Sequence, residues 1–372
     1  MKISTLAQPQ LAQEKVNRML YLDGLRGVAI LMVVLFHIFS RWPDFLPNLT
    51  QYGDFFLFKF GKYGVQLFFI ISGFVISMTL EKCDSFGDFI YRRWLRLFPA
   101  MLIASIIILA TAPFLTARPA GHPVLLDTLP GILFVEPEFF SAIFGYDQKP
   151  LEGSFWSLFV EMKFYIVAGC FYFMLGRRKM IMILLTMFSS SILIYYISPY
   201  LSKSLLDNLY IVLHYLDYRY YGWFVTGALL YEYHITKNRL FWFSGILVGF
   251  VASRYLDGFK ILPMLVANSL IFIFAYSLIS PALQRFLSSK FLLLMGFISY
   301  PFYLIHENAM ISMIHQLHQH NGWIPNLLLP ILPIFVITIV AWIIAKYLEP
   351  ITRKLIKEML SYKSVTLGQK IE

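Results

Sequence analysis

Apolar runs of about 20 residues, the length that carries a helix across a hydrocarbon core, recur from one end of the chain to the other. Short stretches of Gly, Pro and charge separate them. Read against that punctuation, the runs predict ten spans, near 25–42, 55–80, 98–116, 155–176, 180–198, 220–234, 240–256, 261–281, 291–316 and 327–348. The segment 220–234 is short and polar, which suits a bent or interfacial helix as well as a full crossing. The expected fold class is all-α, a polytopic transmembrane helix bundle of about ten spans. No internal repeat or low-complexity stretch divides it. The division is an N-terminal tail over 1–20, a transmembrane domain over 21–350 and a basic tail over 351–372. About twenty residues are too few to hold a core of their own, so the chemistry belongs to the bundle and its faces.

Composition agrees: 58% of the 372 residues are hydrophobic and 14% charged, where soluble domains carry about 25% charge. With a mean hydropathy of +0.66, a water-soluble fold is excluded and membrane lipids are the first partner. The net charge of +10 could suggest nucleic acid, but the basic residues sit in short runs between apolar segments, as in cytoplasmic loops. Nucleic acid is therefore not an expected partner. With the N-terminus inside, 20 Lys and Arg fall on the inner side and 9 on the outer. This bias places both termini in the cytoplasm. The loop 117–153, with Asp127, Glu136, Glu138, Asp147 and Glu152 against Arg118 and Lys149, is then expected to face outward. Cys83 and Cys170 cannot form a disulfide framework and lack metal-site spacing. The first twenty residues lack the apolar core and cleavage site of a signal peptide, leaving insertion to the first span.

Four places carry candidate chemistry. In the first, Asp23-Gly24-Leu25-Arg26-Gly27 opens a helix that contains His37. Eleven positions bring Arg26 and His37 back to within about 20° on one face, about 16 Å apart along the axis. A histidine at that depth is costly and points to function, although a neutral imidazole bonded to a neighbouring helix fits the same residues. The second is Arg92-Arg93-Trp94-Leu95-Arg96-Leu97-Phe98-Pro99, preceded by a capping box in which Ser85 stands three positions before Asp88. It predicts a short surface helix over 86–97, with Arg93 and Arg96 on one face. Two guanidinium forks there suit a phosphate-bearing ligand such as coenzyme A, and equally suit lipid headgroups.

The third is Gly153-Ser154-Phe155-Trp156-Ser157-Leu158 with Glu161 and Lys163. Ser154 is expected to cap a helix that buries Glu161 about 10 Å below its start. Two positions apart, Glu161 and Lys163 point to different sides and need separate partners. The fourth is Ser299-Tyr300-Pro301-Phe302-Tyr303-Leu304-Ile305-His306-Glu307, in which Ser299, Tyr303 and His306 form one polar stripe on an apolar helix that Pro301 is expected to kink. His315, His318 and His320 read as a solvated helix end rather than a metal site, because no carboxylate accompanies them.

In this order the motifs resemble the acyltransferase-3 family, bacterial membrane proteins that transfer acyl groups, often acetyl, to sugars and other extracytoplasmic acceptors. The resemblance spans about residues 20–350 and rests on Leu22–Gly27 with Phe36-His37, on Phe68–Phe74, on Arg92–Pro99, on Trp156-Ser157-Leu158 with Glu161 and Phe164-Tyr165, and on Ser299-Tyr300 with Tyr303-Leu304 and His306. It implies that Arg26, His37, Arg93 and Arg96 are essential. It departs from the family pattern at Gln66, where an acid is frequent, and at Lys163, where a Gln is common.

The expectation is an O-acyltransferase of the bacterial inner membrane, using cytoplasmic acyl-CoA, most simply acetyl-CoA, and no metal. The acceptor would be a hydroxyl of an extracytoplasmic carbohydrate or glycolipid. Arg93 and Arg96, with Arg92, would hold the donor phosphates. His37 would be general base or acyl carrier, with Arg26 and Glu161 beside it in catalysis. Glu161 and His306 would shape an outward acceptor pocket, and Trp156, Tyr303, His306 and Asp23 would contact substrate. A transporter is the rival, since intramembrane His, Glu and Arg also mark solute pathways.

Overall fold

The computed structural model describes residues 19–202, 216–257 and 260–368, with side chains to 360. The N-terminal tail, with Lys2, Lys15 and Arg18, lies outside the described residues. Among those described there is no strand, and the fold is a helix bundle throughout. Its principal helices are α1 (Leu20–Phe36), α2 (Gly64–Leu80), α3 (Phe86–Thr111), α4 (Trp156–Leu175), α5 (Arg177–Ile197), α6 (Tyr221–Thr236) and α7 (Arg239–Asp257). They are followed by α8 (Ile261–Ser277), α9 (Pro281–Leu287), α10 (Lys290–Ile305), α11 (Glu307–His320), α12 (Ile331–Ile343) and α13 (Glu349–Gly368).

Among the described residues, six stretches are long and apolar enough to cross a membrane: Leu20–Arg41, Phe56–Leu80, Phe86–Thr111, Gly153–Leu175, Arg177–Tyr200 and Asn326–Leu360. The pair α8 and α9, bent by 109°, makes a seventh if counted as one span. By length and composition the described residues thus show six or seven spans of a multi-pass membrane protein, and ten spans are not confirmed. The difference has local causes. The run 291–316 is one apolar stretch in sequence, but the chain breaks at His306 into α10 and α11. Helix α6 has only 16 residues and is buried along most of its length inside the bundle.

Two other expectations change. The helix expected over 86–97 and the span expected over 98–116 are one helix, α3, with Pro99 inside it at the loss of one internal hydrogen bond. Ser85 does cap it, its Oγ accepting from the Asp88 N–H at 3.2 Å. Ser154 caps nothing: α4 starts after a 3-10 turn over Gly153–Phe155, and the Ser154 hydroxyl donates to the Tyr303 carbonyl at 3.4 Å.

Glycine sets the spacing of the two helix pairs that frame the site. A Cβ at Gly27 would stand 2.3 Å from the Leu292 carbonyl oxygen, and one at Gly296 would stand 1.9 Å from that of Asp23. Helices α1 and α10 therefore touch backbone to backbone, which only small residues permit in a membrane bundle. Between α2 and α6, Gly73 and Gly227 meet the Phe224 and Ile70 carbonyls at 2.0 Å in the same sense. The backbones that carry Arg26 and His37 on one side and Tyr303 and His306 on the other are thereby held at fixed separation.

The loop over 117–152 is fastened to the α10–α11 break by buried polar contacts. Glu152 accepts from the Asn308 N–H and from Asn308 Nδ2, each at 2.8 Å, with Arg118 Nη2 at 3.8 Å. Full burial outweighs that neighbouring guanidinium and pushes the Glu152 carboxyl up to about 8. Lys163 pairs with Glu136 at 2.6 Å and Asp217 at 2.8 Å, while Glu161 turns to other partners, so the two side chains diverge as their spacing requires.

Candidate active site

Two cavities lie between these helices. The first, about 90 Å³, is lined by three arginines, Arg26, Arg93 and Arg96, together with Glu161, Tyr165 and Tyr300. Glu161 accepts from the Ser72 and Tyr165 hydroxyls, each at 2.6 Å. Arg26 Nη1 donates to Asp23 Oδ1 at 2.9 Å one turn earlier on α1. Arg93 is buried, donates to the Thr79 hydroxyl, and sits over the Phe89 and Tyr165 rings at 5.9 and 5.8 Å. Its Nε is buried without a partner. Three guanidinium groups against the Glu161 carboxylate, with Asp23 engaging Arg26 from outside the lining, leave this cavity with a surplus of positive charge of the kind that suits an anion.

The second cavity, about 340 Å³, contains His37, Glu307, Gln66, Trp156 and Arg41 in its wall. Here α1 passes into a π-helical turn over His37–Arg41, a form frequent at functional sites. His37 Nδ1 lies 2.9 Å from the Val33 carbonyl and 3.2 Å from His306 Nε2. His306 Nδ1 lies 2.9 Å from the Tyr303 carbonyl. A carbonyl can only accept, so Nδ1–H of His306 points to Tyr303 and Nδ1–H of His37 is shared between Val33 and His306. That assignment leaves His37 Nε2 to face Glu307 Oε1, 3.4 Å away. Trp42 Nε1 donates to the same oxygen at 3.1 Å. Glu307 Oε2 is buried without a partner.

Tyr303 and Val65 line both cavities. The Tyr303 hydroxyl is pinned by the Ser157 hydroxyl at 2.7 Å and the Ser154 carbonyl at 2.8 Å. The arginine cavity and the imidazole–carboxylate cavity thus have one tyrosine and one valine in common.

The residues singled out in the sequence distribute unevenly over this arrangement. Arg26, Arg93, Arg96, Glu161 and Tyr303 share the arginine chamber, and His37, Trp156 and Tyr303 share the other. Glu161 lines the arginine cavity and not the one that holds His37. His306 is fully buried behind His37 and lines neither cavity. Asp23 also lines neither and holds Arg26. Arg92 is turned outward onto Asp88 at 2.8 Å, away from both. Sequence reasoning gave no role to Glu307, although an acid inside an apolar run is a signal by its cost alone. Nothing in the sequence marks Trp42 as its donor.

Several known proteins resemble the chain. A Staphylococcus aureus protein provisionally named an O-acetyltransferase is 31% identical over 164 residues, 41% of this chain and 24% of that protein. The O-acetyl transferase of Shigella phage Sf6 is 28% identical over 179 residues, 46% of this chain and 51% of the phage protein. Peptidoglycan O-acetyltransferase OatA of Listeria monocytogenes is 28% identical over 169 residues, 40% of this chain and 23% of OatA. The chain thus matches about a quarter to a half of the length of these relatives. No solved structure matches it. The acyltransferase domain of the acyltransferase-3 family matches residues 19–346, and this chain belongs to that family.

Proposed function

We propose that the protein is an O-acetyltransferase that takes an acetyl group from acetyl-CoA on the cytoplasmic side and places it on a carbohydrate hydroxyl on the other side. The observation that carries this reading is the pairing of the two chambers across Tyr303. One offers Arg26, Arg93 and Arg96 to the donor's phosphates, and the other offers His37 beside Glu307 to a hydroxyl.

In this reading the pantetheine arm reaches from the arginine chamber past Tyr303, which must swing aside. The acceptor O–H gives its proton to His37 Nε2, and Glu307 stabilises the imidazolium that forms. The acceptor oxygen attacks the thioester carbonyl, the C–O bond forms, the C–S bond breaks, and coenzyme A leaves as thiolate and takes up the proton. His306, bonded to His37 Nδ1, fixes the ring so that Nε2 faces the chamber. A carboxylate beside the ring favours the base role over a covalent acyl-histidine, which it would crowd.

The test is purified protein in lipid nanodiscs with radiolabelled acetyl-CoA. Label should appear in added carbohydrate acceptor, or as free acetate by slow hydrolysis when acceptor is omitted. Protein that neither binds acetyl-CoA nor cleaves its thioester would refute the reading.

A further inference from the structure

Beside the His37 chamber, where α1 ends and α2 begins, lies a larger open groove of about 910 Å³. The two share Phe36, Lys62 and Leu256 as a common wall. The groove has an apolar floor, with Phe36, Phe39, Phe60, Leu256 and Pro263, and a basic rim of Lys59, Lys62 and Lys260. Arg41 adds a fourth cation in the adjoining chamber. Lys62 is already engaged, in part over the Tyr63 ring at 5.1 Å, so the surplus rests on Lys59, Lys260 and Arg41, against which the described residues lining both spaces offer two carboxylates, Asp54 and Glu307. Asp54 holds Lys59 at 2.6 Å, but the Asp54 side chain is 89% exposed, and a solvent-exposed pair is easily exchanged for a better anion. Glu307 is engaged by His37 and Trp42.

The charge also runs against the grain of the chain. By the distribution of Lys and Arg, this face is the basic-poor one, with nine such residues in the whole sequence. Four of those nine, Arg41, Lys59, Lys62 and Lys260, come together from three separate segments around these two spaces. Insertion does not require cations there, so their convergence points to an anion. Lysines bind phosphate as point charges, and the phenylalanines beside them suit a hydrocarbon chain. Phe55, Phe56 and Leu57, about half exposed beside Lys59, continue the apolar surface outward.

We propose that the groove holds the phosphate and the first carbons of the tail of an amphiphilic, lipid-linked acceptor, and so presents the acceptor's sugar hydroxyl to His37. The proposal rests on the acyl-transfer reading for the role of His37. The groove itself can be tested separately.

The experiment is calorimetric titration of the full chain in phosphatidylcholine nanodiscs with three probes: geranyl diphosphate, geraniol and inorganic pyrophosphate. Geranyl diphosphate should bind about tenfold or more tighter than either of the others, because only it offers both charge and tail. Lys59→Gln/Lys260→Gln, at two exposed positions where folding is not at stake, should weaken geranyl diphosphate by about tenfold and leave geraniol unmoved. Lys59→Arg/Lys260→Arg should restore it. Equal binding of geranyl diphosphate and pyrophosphate would remove the tail from the proposal. Equal binding of geranyl diphosphate and geraniol, or no change in the glutamine variant, would overturn the anion site. Acetyl-CoA titrated into the same wild-type sample separates the two claims. Lysine-dependent diphosphate binding without acetyl-CoA binding would sink acyl transfer and keep the groove, and the reverse would do the opposite.

Discussion

His37 Nε2 and Glu307 Oε1 face each other across 3.4 Å at the end of a helix and at the start of another, with most of the bundle's sequence between them. A single proton can satisfy both, and on the proposed reading catalysis turns on which of the two holds it. This gives the first expectation. His37→Ala should insert and fold, because it replaces a polar group by an apolar one in a membrane helix, while acyl transfer should fall by about 10²–10⁴-fold. His37→Gln keeps hydrogen bonding but cannot take a proton, so it should be equally inactive. Steady-state transfer rates on folded, monodisperse protein decide it. A largely active glutamine variant would leave His37 only an orienting role.

Glu307→Gln should lower kcat by about 10²-fold or more while leaving acetyl-CoA affinity unchanged, because the arginine chamber does not contain it. In a double-mutant cycle with His37→Ala the losses should not add, since both act on one proton. Additive losses would separate the two residues.

Arg93→Lys and Arg96→Lys should each weaken acetyl-CoA binding by about tenfold or more, because lysine keeps the charge and loses the forked match to phosphate. Arg92→Ala should change it less than about twofold, since that side chain is turned onto Asp88 outside the cavity. Equilibrium binding of labelled acetyl-CoA to the three proteins ranks them. Equal losses at all three positions would point to a general surface field instead of a built site.

In a background with Cys83 and Cys170 replaced by Ser, cysteine at Lys149 and at Arg178, both exposed, should label from opposite sides of the membrane. Lys149 should react with an impermeant maleimide in intact cells and Arg178 only after permeabilisation. The opposite pattern would invert the direction of transfer.

Glu152→Gln should raise thermal stability relative to wild type as pH rises from about 4.5 to about 8. The Glu152 carboxyl is held above its ordinary value by burial, so the fold favours its protonated form. That stability is fully present below the unfolded value and is lost as pH climbs through the folded one. Melting of the two proteins in detergent at pH 5 and pH 9 measures it: the curves should nearly coincide at pH 5 and separate at pH 9.

The helical class and the sharing of one cavity by Arg93 and Arg96 were legible because they follow from local spacing. Apolar runs report a membrane whatever the tertiary fold, and i, i+3 places two arginines on one face. The division of the run 291–316 was not legible, because hydropathy cannot see the break at His306 that splits one apolar run into α10 and α11. The His37–Glu307 pair was hidden for another reason. It depends on the close glycine packing of α1 on α10 and on the break that turns Glu307 toward the π turn, and neither has a sequence period. Glu161 was legible as a buried acid but not its side, since which helices surround a position is a tertiary fact.

Because Tyr303 and Val65 line both cavities, the proposed route takes the donor's thioester past these two side chains on its way across the bilayer. On that route each turnover would open a passage between the two cavities, and a passage left open would let ions and protons run down their gradients. The passage is therefore safe only while something fills it. On the proposed route that filler is the pantetheine arm of the donor itself, which would serve as reagent and stopper at once. An enzyme built this way has to bind its donor before it can unseal, so its catalytic order is dictated by osmotic necessity as much as by chemistry.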